Sequence, residues 1–239
     1  MPDPRTADAP QPSATALARL LQFGDSLLPI GGFSFSCGLE SAIQQRVVTD
    51  AHTLAAFTRT AVRQAAAGDG IALVAAHRAA EAGDVDQAAR IDRIAFNRKL
   101  SDETRTMSLR MGRKLAELGA QVHGRPLVRD WLARIVDGRT PGTHAVALAV
   151  DFAAQGLSAR HAFAVHRHGV ASTILSAALR LMRIGHPQTQ AILYAQNADV
   201  EESFAVASAA RLEDMASYAP LIDILAAVHV KAHVRLFMN

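Results

Sequence analysis

The chain has 239 residues, half of them hydrophobic and only 5% aromatic, with 25 basic against 22 acidic side chains and a formal net charge of +3. That length buries a full core without cross-links, and an alanine-rich, aromatic-poor composition favours close-packed helices over a β-sandwich. The lone Cys37 excludes an intrachain disulfide framework, no apolar run approaches the ~18 residues that cross a bilayer, and so balanced a charge gives little reason to expect nucleic acid. The expected compartment is the cytoplasm.

Residues 1–13 (MPDPRTADAPQPS) are rich in proline and poor in core-forming side chains, so a disordered tail is expected, followed by one helical domain over 14–239. From Ala14, the residues Leu17, Leu20 and Leu21 share a helical face. Leu39, Ile43 and Val47 have helical spacing, and Thr49 or Asp50 can cap a helix that carries Leu54, Phe57 and Ala61 to a stop at Gly68-Asp69-Gly70. Ile71 to Ala82 and Val85 to Phe96 read as two further helices, the second with Ala88, Ile91 and Ala95 inward. Asn97 to Leu118 places Leu100, Met107, Met111, Leu115 and Leu118 on one stripe. Opposite them Arg98, Arg105, Arg110, Arg113 and Lys114 mix with Asp102, Glu103 and Glu117, as on a solvated, ion-paired face. Gly112 within this helix points to close approach of a neighbouring helix, and Gly119 can end it.

Further helices are expected at Leu127 to Val136, Thr143 to Ala154, from a Ser158 cap to Ile184, Gln188 to Gln196, from the acidic Asp199-Val200-Glu201-Glu202 onward, and from Pro220 to the end. With no strand-type alternation and no repeat period, the fold class is all-α, a single domain of about ten helices.

One stretch has a different texture. Leu27-Leu28-Pro29-Ile30-Gly31-Gly32-Phe33-Ser34-Phe35-Ser36-Cys37-Gly38-Leu39-Glu40 threads glycine, proline and serine through large apolar side chains. Pro29 and the Gly31-Gly32 pair call for a tight turn, and Phe33 and Phe35 then need something to bury against. The turn is either a packed corner or a surface shaped for a partner. It is no phosphate loop, because neither Gly-Lys-Ser/Thr nor G-x-G-x-x-G occurs. Ser34, Ser36 and Cys37 lack the base a nucleophile needs. They read more simply as helix-capping serines and a small buried thiol.

Ten histidines invite a metal test. His229 and His233 have the i, i+4 spacing of a two-imidazole site but lack the acidic residue of H-E-x-x-H, which leaves them weak candidates for a transient role. His161, His166 and His168 sit among Arg160 and Arg167, whose charge disfavours a cation.

Four separated blocks form a set: Leu28 to Glu40; Glu103-Thr104-Arg105 with Met111-Gly112-Arg113-Lys114-Leu115; Ser176 to Gln188; and Pro220-Leu221-Ile222-Asp223-Ile224 running to Arg235-Leu236-Phe237. In this order, over about residues 17 to 239, they resemble the UreF family of urease accessory proteins. The first block differs from the family pattern L-P-I-G-x-F-S-x-S-x-G-L-E where Phe35 replaces a tyrosine or histidine, and Val230, His186 and Asn239 also depart from it. The resemblance implies an all-helical, dimeric, non-enzymatic protein. Such a protein joins a UreD/UreH-type subunit and the GTPase UreG in the complex that delivers nickel to apo-urease, binds no stable cofactor itself and modulates the GTPase. It implies partner contacts at Pro29, Gly31, Gly32, Phe33, Ser36, Gly38 and Glu40, at Arg180, Arg183 and Gln188, and at Arg235, Leu236 and Phe237. The alternative expectation is a helical nucleic-acid-binding regulator using the Arg98 to Lys114 face.

Overall fold

The computed structural model describes residues 12–216 together with Ala219, Ile222, Ile224, Leu225 and Phe237. Helices follow one another in the order α1 (Ala14–Gly24), α2 (Leu39–Gln44), α3 (Ala51–Ala65), α4 (Ile71–Glu81), α5 (Val85–Asn97), α6 (Asp102–Val122), α7 (Pro126–Val136), α8 (His144–Gln155), α9 (Ala159–Leu181), α10 (His186–Gln196) and α11 (Val200–Ala209). Among the described residues there are no strands, and no helix is long and apolar enough to cross a membrane. The all-α single domain expected from the sequence is what forms.

The starts of these helices follow local chemistry. Ser13, Asp50, Asp84, Ser101 and Ser158 each accept a hydrogen bond from the backbone N–H three residues on, which satisfies a donor the first turn would leave open. Their packing follows the pattern of apolar residues. Ala145-Val146-Ala147-Leu148-Ala149-Val150 has no polar side, so α8 must be covered all round, and every residue from Ala145 to Phe152 is buried. Around it stand α4 and α6, with α5, α7 and α9. A second cluster joins α2, α3, α9 and α10 through Leu39, Leu54, Phe57, Ile174 and Ile192, and takes in Leu225 and Phe237.

Several local expectations change. Gly68-Asp69-Gly70 does not stop a helix: residues Ala66–Gly70 make a wider π-type turn that carries α3 directly into α4. The run through Val47 ends at Gln44, because Arg46 takes φ 59°, and Val47 is exposed. α10 begins at His186, two residues earlier than expected, with Gly185 at its N-cap. Gly119 lies buried inside α6, where a Cβ would meet Asp151 Oδ1, and does not end it.

The inward face of α6 is also rotated from the expected stripe. Its buried residues are Glu103, Ser108, Gly112, Leu115, Ala116 and Gly119, while Leu100 precedes the helix and is exposed. The reason is close packing. A Cβ on Gly112 would stand 2.1 Å from the carbonyl oxygen of Gly142 and 2.7 Å from the carbonyl carbon of Thr143. The loop that comes so near is fixed by the fully buried Asp92 of α5. Its Oδ2 accepts from Thr140 Oγ1 (2.7 Å) and Gly142 N (2.6 Å), and its Oδ1 from Thr143 N (2.9 Å) and Thr143 Oγ1 (2.5 Å).

In an open helix Gly→Ala would stabilise by up to ~1 kcal/mol. At this contact Gly112→Ala is expected to destabilise by roughly 1–3 kcal/mol, read as a lower urea midpoint at unchanged slope, because backbone rather than a movable side chain blocks the methyl.

Candidate functional site

The unusual stretch forms the turn that its residues dictate. Asp25 opens it, with Oδ1 accepting from Leu27 N (2.8 Å), and a short 3-10 turn follows at Gly32–Ser34. Gly31 takes φ 87° and Gly38 φ 78°, values that L side chains rarely adopt. The two aromatic residues part company. Phe35 is buried in the protein, whereas Phe33, expected to bury as well, is 68% exposed beside exposed Pro29 and Leu27. Neither serine caps α2, which starts from Gly38, and the buried Ser36 Oγ has no hydrogen-bond partner among the described residues.

Three distant pieces of chain meet behind Phe33. Near the end of α9, Arg180 Nη2 donates to the carbonyl of Phe33 (2.8 Å), and its guanidinium lies 4.1 Å from the ring centre of Phe237. The buried Phe237 donates its N–H to Glu40 Oε2 (3.3 Å), in the first turn of α2. The structure therefore brings together Phe33, Glu40, Arg180 and Phe237. It leaves Arg183 exposed on the connection to α10, and gives Gln188 a capping task, its Oε1 accepting from Gly185 N (2.9 Å). Arg235, Leu236, His229 and His233 lie outside the described residues.

Beneath the turn is a cavity of about 130 Å³. Its walls include Phe23, Leu28, Ile30, Met107, Met111 and Leu148, and its polar floor is Asp69, Lys99, His144 and His166. The π-type turn supplies Asp69, and Lys99 Nζ donates to both of its oxygens (2.8 Å each). Burial alone would raise the Asp69 carboxyl, but the charge and hydrogen bond of Lys99, with His166 beside it, hold it below the ordinary carboxylate range. Burial lowers His166 and, with the charge of Lys99 adding to it, pushes His144 down to about 3, so both imidazoles are neutral at neutral pH. Enclosure, reinforced by Glu103, pushes the Cys37 thiol up to about 12, the reverse of what a nucleophile requires. Among the described residues no three His, Cys, Asp or Glu side chains converge into a ready metal cage.

The floor was not legible in the sequence. Asp69 reads as part of a helix stop and His166 as one of several histidines among arginines, while His144 carries no motif at all. Only Asp69, set between two glycines at a helix junction, gives a local hint.

The UreF family model matches residues 48–197, more than half of the chain. The chain belongs to the UreF family. Two relatives match over a longer stretch, 227 residues against the 150 of the family model. Urease accessory protein UreF 2 of Brucella canis is 56% identical over 227 residues, covering 95% of this chain and 93% of its own. Urease accessory protein UreF of Yersinia enterocolitica is 52% identical over 227 residues, covering 95% of this chain and all of its own. The UreF membership drawn from the four blocks is thereby established.

A Cβ at Gly31 would meet nothing within 4 Å, so any penalty for a side chain there comes from φ and not from crowding. Gly31→Val is expected to cost about 1–2 kcal/mol of stability, the penalty of a left-handed L residue, measured as a lower melting temperature.

Proposed function

We propose that this UreF-family chain acts in urease maturation as a non-catalytic scaffold. It joins a UreD/UreH-type subunit and the GTPase UreG, modulates the GTPase, works as a homodimer, and helps deliver nickel to apo-urease as the cargo of the whole complex. The observation that carries this reading is the meeting of the turn, the end of α9 and the buried Phe237 beneath the exposed Phe33. Phe33 stands out of that place as an aromatic knob whose carbonyl is gripped from behind by Arg180, the arrangement of a pre-organised anchor residue. Cys37, held as a thiol, gives no support to covalent chemistry.

The basic face of α6 supports the same choice. Arg105 pairs with Asp102 (3.5 Å), and Arg113 and Lys114 both pair with Glu117 (3.0 and 2.7 Å). Arg98, which lies not on α6 but at the C-cap of α5, donates to the carbonyl of Met215 (2.9 Å). Charges so engaged make a poor phosphate surface.

The test is the mass in solution of the chain mixed with its UreD/UreH-type subunit, and then with UreG, GTP and nickel. A stable assembly of all three is expected. Phe33→Ala, at an exposed position, should weaken it at least about tenfold without moving the melting temperature. Assembly at unchanged affinity would remove the turn from the interface, and a chain that stays alone in every mixture would remove the scaffold.

A further inference from the structure

The cavity under the turn has apolar walls and an enclosed polar floor, and the proposed partner surface uses only the outer side of the turn. At the floor Lys99 cancels the charge of Asp69, and the imidazoles of His144 and His166 line the open space without a hydrogen-bond partner among the described residues. His166 is 5% exposed, and a polar side chain so enclosed is nearly always bonded. We propose that the cavity is a binding site for a small neutral organic molecule, with an apolar body the size of one six-membered ring and a hydroxyl or amide head seated on the two imidazoles.

Size sets the body. A volume of about 130 Å³ is close to the ~150 Å³ of an apolar cavity that takes up benzene. Water suits the floor but not the walls. The space is worth about four waters at ~30 Å³ each, and most of it faces Phe23, Leu28, Ile30, Met111, Leu148 and Val165. A ring there removes that apolar surface from water, which a filling of waters does not.

Charge and hydrogen bonding set the head. The floor is neutral as a whole, because ammonium and carboxylate pair off and burial keeps both imidazoles uncharged at neutral pH. An ionic ligand would carry an unbalanced charge into this enclosure, whereas a neutral head does not. Each neutral imidazole presents one N–H donor and one bare nitrogen acceptor. A hydroxyl or amide, itself both donor and acceptor, satisfies the two rings together. The acidic Asp25 stands at the rim and is exposed.

The experiment uses the full chain with ¹³C-labelled methionine methyl groups, titrated with phenol and with toluene, which has the same shape and no polar head. Met107 and Met111 line the cavity and report its occupancy. Phenol is expected to saturate one site and to bind at least about threefold more tightly than toluene, although its hydroxyl costs more to remove from water. A merely apolar hole would give the opposite order. His166→Leu should reverse the order, weakening phenol about tenfold and leaving toluene bound. Gly169→Leu should abolish both, because a Cβ on this cavity-lining residue of α9 meets nothing within 4 Å and the leucine fills the space. Leucine is also the better helix former, so the fold is kept. Absence of a saturable shift with phenol, tighter binding of toluene, tighter binding of benzoate than of phenol, an order unchanged by His166→Leu, or undiminished binding in Gly169→Leu would each overturn the proposal. Should His166→Leu lower the melting temperature sharply, the order of the two ligands in the unaltered chain and the Gly169→Leu result decide. The titration needs no partner protein, so its failure is separate from failure of the scaffold.

Discussion

The contact on which the rest depends is backbone against backbone: Gly112 of α6 against the Gly142-Thr143 peptide at the entrance to α8. No side chain larger than hydrogen fits there. The approach is held from the far side by Asp92, whose two oxygens accept four hydrogen bonds from Thr140, Gly142 and Thr143. Burial still raises the Asp92 carboxyl despite those bonds, so desolvation outweighs them. The carboxylate is therefore better understood as a device for placing a loop than as a source of net stability. It fixes where α8 begins and how closely α6 can lie beside it.

That placement reaches the functional region in two steps. With α6 pressed on the loop by its small-residue face, Met107 and Met111 are turned toward the cavity, and Ser108 Oγ accepts from His144 N (3.1 Å). The first residue of α8 is thus seated on the cavity floor. Met111 in turn supports the turn, since a Cβ at Gly32 would lie 3.3 Å from Met111 Cε and 3.7 Å from Thr173 Oγ1. The glycine pair divides its labour accordingly: Gly31 supplies the left-handed φ, and Gly32 lets the chain settle on α6 and α9. A change at Gly112, far from Phe33 in sequence, would be felt at the turn through this chain of packed groups.

How much of this could be read beforehand varied with the range of the interaction involved. The helix starts at Asp50 and Ser158, and the need for close approach at Gly112, are legible because caps and glycine act locally, whereas the start expected at Asn97 falls at the end of α5 and α6 begins only after the Ser101 cap. The inward face of α6 was misread because Met107, Met111, Leu115 and Leu118 outweigh glycine and serine on any hydropathy pattern. Packing density instead favoured the small residues against α8. The continuation through Gly68 and Gly70 was missed for a related reason. Glycine normally breaks helices, but here a Cβ at Gly70 would stand 2.6 Å from the Phe163 ring, a neighbour no local pattern announces. The four members of the cavity floor come from four elements, so only the fold could bring them together.

The turn has two faces with different physical characters, and this ties the outer surface to the interior. Outward it presents Leu27, Pro29 and Phe33 to solvent, apolar groups whose exposure costs free energy until something covers them. Inward, Leu28, Ile30 and Gly32 form part of the cavity wall. Arg180 acts on the same segment from a third direction, gripping the Phe33 carbonyl while stacking on Phe237. The segment is thus too constrained to serve as an adaptable loop and too exposed to be ordinary core. Rigid backbone, one protruding aromatic side chain and a wall shared with a polar cavity together favour a recognition element, for which pre-organisation lowers the cost of association.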